Sequence, residues 1–187
     1  MSILKDNSPK IIRMLITHIA MSVFGLAIGF SIVMAKVTPT MALIVSIFSI
    51  LFYAALVYTT MWEYGSKDKP AFDGGRKDNA LLTGFLCTLA AEGVFVFIAL
   101  AYAISSFFGE ASYFAGNVCF ISNIVLWLFS GFCSGAMSFL ESVDAGHIWR
   151  ASVYIIASLF ISGVGAFGYA LGTKDLTIIP KKANVKK

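Results

Sequence analysis

The chain has 187 residues, of which 58% are hydrophobic and only 13% charged; that is roughly half the charged share of an ordinary soluble domain. A net charge of +4 does not point to nucleic acid, because the basic residues flank apolar segments instead of forming one stripe. Cys87, Cys119 and Cys133 are odd in number and lie within apolar segments, so they read as small buried hydrophobes and not as a disulfide framework or a zinc site.

The placement of the charges settles the class. No Asp, Glu, Lys or Arg falls between Arg13 and Lys36, Lys36 and Glu63, Glu110 and Glu141, or Arg150 and Lys174. Each window exceeds the roughly 18 to 20 apolar residues that cross a ~30 Å hydrocarbon core. The chain is therefore expected to be all-α, a single integral membrane bundle of about five helices over residues 1–172, surrounded by the lipid bilayer, with a lysine-rich tail at 173–187.

The first span is expected at about 11–35, preceded by Lys5, Lys10 and Arg13. Its apolar stretch is longer than the roughly 7 to 15 residues of a signal-peptide core, which favours an uncleaved helix. The second span, 39–62, opens with Thr38 as N-cap and Pro39 in the first helical position. Tyr58, Trp62 and Tyr64 form an aromatic collar at its far end. Pro70 and Gly74-Gly75 then predict a polar loop over 63–79. Four acidic and four basic residues cancel there, and Gly74-Gly75-Arg76-Lys77 lacks the ending and the preceding strand of a phosphate loop.

The third span, 80–108, contains one charge, Glu92, and a turn at Gly109 and Glu110 leads to a fourth span at 115–140. Glu141 to Arg150 is polar enough for water or the interface, and the fifth span covers 151–172. No proline falls in the interior of a span, Pro39 standing at the first position of the second. Basic residues near span ends predict a cytoplasmic N-terminus. Five spans, however, place Lys174, Lys181, Lys182, Lys186 and Lys187 on the opposite face from the N-terminal cluster. A re-entrant segment in the second half removes that conflict.

Glu92 is the most informative residue, since counting from Ala80 places it ~18 Å deep, near the bilayer centre. A carboxylate there costs at least ~2.5 to 3.5 kcal/mol unless it is neutral, paired or facing a cavity. Asn123 at matching depth, Thr88 one turn earlier, and His18 on the first span are its candidate partners. Trp127, deep in the fourth span, either fills the core or lines a pocket with Asn123. Such a group forms either a ligand or ion pathway or a hydrogen-bonded helix fastener.

Small residues four apart allow helices to approach closely: Gly25 and Gly29; Ser130, Ser134 and Ser138 flanked by Gly131 and Gly135; Gly168 and Gly172. They suit packing within the chain, or an interface with a second copy or another membrane protein. Glu141, Asp144, His147 and Arg150 are spaced by three, which misses the tighter pairing of zinc-binding helices, so no metal is expected.

The run Trp62-Glu63-Tyr64-Gly65-Ser66-Lys67-Asp68, followed by Gly75-Arg76, Asp78 and Gly84-Phe85, resembles a pattern in uncharacterised small membrane proteins of Gram-positive anaerobic bacteria. The resemblance implies a bacterial plasma membrane and no particular activity. The chain is also similar in size to the substrate-binding components of vitamin transporters, which have one more span. The sequence carries no catalytic constellation and no cofactor signature. It predicts a non-enzymatic subunit or structural element of a membrane complex, with a small-solute or ion-transport component around Glu92 as the alternative.

Overall fold

The computed structural model describes residues 7–75, 79–108 and 112–176, and these are helical throughout apart from short connections. In chain order the helices are α1 (Ser8–Met34), α2 (Pro39–Asp73), α3 (Ala80–Phe108), α4 (Tyr113–Phe129), α5 (Ser134–Ser142) and α6 (His147–Thr173), with one 3-10 turn at Gly131–Cys133 between α4 and α5. Helices α1, α2, α3 and α6 are each long and apolar enough to cross a membrane, and α4 with α5 forms a pair bent by 90°. Glu110, Arg76 to Asp78 and the tail lysines beyond Leu176 lie outside the described residues.

The surface shows what surrounds the bundle. Phe48, Phe97, Phe107 and Phe120 are between 65% and 73% exposed, whereas His18 and Glu92 are at most 1% exposed. Water penalises that arrangement, because contiguous apolar surface of this extent must be covered. Lipid accepts it, since tails are as apolar as the side chains and the polar groups must pair inside.

Helices α2, α3 and α6 pack closely at points where glycine removes a side chain. A Cβ on Gly65 would stand 2.2 Å from the Tyr169 carbonyl oxygen, and one on Gly172 would stand 2.2 Å from that of Trp62. Gly165 receives Thr88, and Gly168 lies against Tyr58. These contacts also fix direction. The last turns of α6 meet the far end of α2, while Tyr102, late in α3, meets His147 at the start of α6. Helix α6 therefore runs parallel to α2 and antiparallel to α3.

It follows that α4 and α5 do not form the single span expected over 115–140. Helix α4 leaves the end of α3, reaches the depth of His18, and breaks at Ser130. Helix α5 then passes Gly29 of α1 and Ala42 of α2, both near the end from which α4 set out, and hands over to α6 beside Tyr102. The pair turns back within the bundle as a hairpin, so four long helices run its length and the end of α6 lies at the end where α1 begins. The break separates Ser130 and Gly131 from Ser134, Gly135 and Ser138, which do not share one straight helical face. Gly131 packs on the α1 backbone at Ser22 and Leu26, and Gly135 on the Ala42 carbonyl of α2.

A second correction concerns 63–79, where a loop was expected. Helix α2 continues through Gly65 and Pro70 to Asp73. The glycine serves the contact with α6, and the proline removes one amide–carbonyl bond of the helix with only the last turn beyond it. The extension is tied down by Trp62, whose indole N–H donates to the Leu176 carbonyl at 2.6 Å. Lys10 and Tyr169 also hold it, through Asp68. Thr38 occupies the N-cap position of α2 without a side-chain capping bond.

Two measurements check this architecture. With the native cysteines replaced, single cysteines at Lys36, Tyr113 and Asp144 should label from one side of the membrane, and one at Lys67 from the other; a straight fourth span instead separates 113 from 144. Gly135→Ala, whose Cβ would lie 1.9 Å from the Ala42 oxygen, should cost about 1–3 kcal/mol in reversible denaturation within mixed micelles. Gly163→Ala, which meets nothing within 4 Å, should be neutral or stabilising by up to about 1 kcal/mol.

Candidate functional site

The one fully buried carboxyl among the described residues sits where α1, α2, α3 and the α4 break converge. Glu92 Oε1 lies 2.9 Å from His18 Nδ1 and 2.5 Å from the Tyr53 hydroxyl. The hydroxyl is also 3.1 Å from Nδ1. All three side chains are at most 1% exposed. The imidazole is stacked on Phe95 at 3.9 Å between ring centroids, with Tyr53 and Phe132 at its edges.

The other imidazole nitrogen explains how the hairpin survives at this depth. In an unbroken helix the Phe129 carbonyl would accept from the Cys133 amide. Here that amide turns to the Ser130 oxygen at 2.8 Å, so the Phe129 carbonyl is released. His18 Nε2 donates to it at 2.8 Å, and the Ser22 hydroxyl also lies within hydrogen-bond distance. From α2 the Ser46 hydroxyl donates to the Phe132 carbonyl at 2.9 Å. A carbonyl can only accept, so Nε2 carries a proton and Nδ1 shares a single proton with Glu92. Whichever atom holds it, the pair is neutral overall, which suits a site without water. Glu92 Oε2 has no hydrogen-bond partner among the described residues.

The partners named from sequence divide sharply. His18 binds Glu92 directly, at 2.9 Å. Thr88 bonds the Gly84 carbonyl at 3.0 Å and packs on Gly165, without a hydrogen bond to the carboxyl. Asn123 is exposed on the lipid-facing side of α4, because the hairpin presents Ser122 and Leu126 inward instead. Trp127 is 39% exposed, set edge-to-face with Phe30 at 5.7 Å, and lines no pocket with Asn123. Tyr53 was missed. Its signal was available: a tyrosine in mid-span departs from the aromatic-belt rule and needs a polar neighbour for its hydroxyl.

Two further polar groups close the ends of the bundle. Where α1 begins, Lys10 donates to Asn7 at 2.6 Å, pairs with Asp68 and sits 5.0 Å from the centre of the Tyr169 ring, whose hydroxyl donates to Asp68 at 2.5 Å. On the water-facing extension of α2, the Lys67 ammonium bonded to Glu63 holds that carboxyl below its usual range, an exposed pair that adds little stability. At the opposite end the Tyr102 hydroxyl meets His147 Nδ1 at 2.7 Å, and Arg150 lies 3.5 Å from Glu141. Among the described residues no three His, Cys, Asp or Glu side chains are grouped to hold a metal.

No protein-family profile, curated protein or solved structure matches this chain.

The cluster makes a graded prediction for stability in mixed micelles. Glu92→Gln keeps an acceptor for Tyr53 and a donor for Nδ1, and should cost less than about 1 kcal/mol. Glu92→Leu leaves the Tyr53 hydroxyl and Nδ1 only each other, at 3.1 Å, and should cost about 1–3 kcal/mol, with Tyr53→Phe near 1.

Proposed function

We propose that the chain is a non-enzymatic, polytopic membrane protein that serves as a subunit or structural element of a membrane assembly. In this reading the midplane cluster is a fastener. One observation carries it: every hydrogen-bonding atom of His18 and Tyr53 is engaged with another helix or with the hairpin's freed backbone, in a site sealed from solvent. Groups that conduct or bind a solute need at least one face open to it. Close glycine contacts among α2, α3 and α6 fit a rigid scaffold better than a rocking one.

We place the protein in a bacterial plasma membrane with its N-terminus in the cytoplasm. Among the described residues Lys10, Arg13, Lys67, Lys69 and Lys174 gather at the end where α1 begins and α6 stops, against Lys36 and Arg150 at the other. That asymmetry matches the positive-inside rule, and the turn-back at α4 and α5 puts Lys174, at the end of α6, on the same side.

The rival reading, a small-solute or ion-transport component using Glu92, has one observation in its favour: the unpartnered Oε2. Reconstitution separates the two. Proteoliposomes loaded with a pH-sensitive dye should show the same proton leak with wild type, with Glu92→Gln and without protein. A flux present in wild type and lost in Glu92→Gln sinks the structural reading. In native membranes solubilised with mild detergent, wild type and Glu92→Gln should migrate together in a complex larger than the 20.2 kDa chain. Migration at the size of the single chain removes the assembly role.

A further inference from the structure

A second polar feature lies away from the midplane cluster, where the hairpin meets the end of α1. A cavity of about 140 Å³ is bounded by Gly29 of α1, Trp127 of α4, and Ser134, Ser138 and Glu141 of α5. At ~30 Å³ per water it has room for a group of four or five heavy atoms.

The spacing that builds it is helical. Ser134, Ser138 and Glu141 are four and three residues apart, so they share one face of α5. Gly29 keeps that face close to α1, since a Cβ there would come within 3.0 Å of the Ser134 hydroxyl. The break at Ser130 bends the chain by 90° and sets Trp127, one turn before it, against the same space.

The lining has a definite sign. Its only formal charge is the Glu141 carboxylate, and the indole presents an electron-rich ring. Thr17, Ser31, Ser152 and Ser162 each spend the hydroxyl on the carbonyl four residues back. Ser134 and Ser138 make no such bond, nor any other to a described residue, and their oxygens remain open to a ligand. Arg150 stands outside the lining, and its contact with Glu141 at 3.5 Å is too long for a hydrogen bond. The carboxylate therefore keeps acceptor sites for a second cation. Val33 and Glu141, both exposed, lie in the last turns of α1 and α5, toward one end of the bundle.

We propose that this cavity binds a primary ammonium group, with Glu141 as its counter-ion, Trp127 as its cation–π wall and Ser134 and Ser138 as acceptors for its N–H groups. The ammonium can belong to a phosphatidylethanolamine headgroup or to a free amine of two or three carbons. The site is independent of the role given to Glu92, so either reading can fail alone.

The experiment uses the full chain with Trp62→Phe and Trp149→Phe, which leaves Trp127 as the sole indole, in phosphatidylglycerol nanodiscs. Ethylammonium chloride, with sodium chloride as the ionic-strength control, should change its emission along a saturating curve. Glu141→Gln should weaken that binding by about tenfold or more, the loss expected when a charge-assisted contact disappears. Asp144→Asn, on the neighbouring turn, should leave it unchanged. Repeating the titration in phosphatidylethanolamine nanodiscs identifies the source: a right-shifted curve assigns the site to the lipid headgroup, and an unshifted one to a free amine. A linear response that sodium chloride reproduces overturns the proposal. So does equal binding by Glu141→Gln while gel filtration shows that variant to be folded.

Discussion

A backbone carbonyl with no helical partner cannot be left in hydrocarbon. Where α4 breaks at Ser130, the Phe129 oxygen loses the amide that a continuous helix would offer, and no water is there to replace it. His18 Nε2 and the Ser22 hydroxyl reach it from α1, and Ser46 reaches the Phe132 carbonyl from α2. The hairpin can exist at this depth only because these side chains surround it. The position of α1 is set by the same need.

Glu92 enters as the next member of that chain of requirements. Once Nε2 is committed to a carbonyl, the opposite ring nitrogen needs a partner of its own in an apolar interior. A carboxyl that shares one proton with it supplies that partner without net charge. Tyr53 completes the set, which ties α1, α2, α3 and the hairpin through three side chains and one peptide group. A residue that looks like an ion pathway when read alone becomes, in context, the outer partner of a histidine that holds a bent backbone.

Around this polar centre the bundle uses two kinds of adhesion. Helices α2, α3 and α6 meet through glycine, where dispersion at close range replaces the hydrophobic effect that lipid does not provide. Helix α1 and the hairpin add polar bonds at the midplane to glycine contacts of their own at Gly25, Gly131 and Gly135, and α1 is also held through Lys10 and Asp68 at one end. The cavity beside Trp127 opens along that second seam, and the polar groups lining it are drawn from the part of the molecule built by hydrogen bonding.

Reading charges along the chain was enough to establish an all-α membrane bundle, since windows free of charge longer than the hydrocarbon core have few other uses. It placed α3 at its observed limits and set Glu92 at mid-depth, because rise per residue is a local property. Local rules also misled. Pro70 and Gly74-Gly75 suggested a loop from residue 63 onward, yet the helix, held by contacts with α6, continues through Gly65 and Pro70 to Asp73. Composition could not distinguish a straight fourth span from a hairpin, because both are equally apolar; the difference lies in where a released carbonyl finds donors from helices distant in sequence. For the same reason Asn123, matched to Glu92 in depth, faces away from it, while Tyr53 does not. Depth follows from counting residues, but the azimuth of a side chain about its helix is decided only when the helices pack.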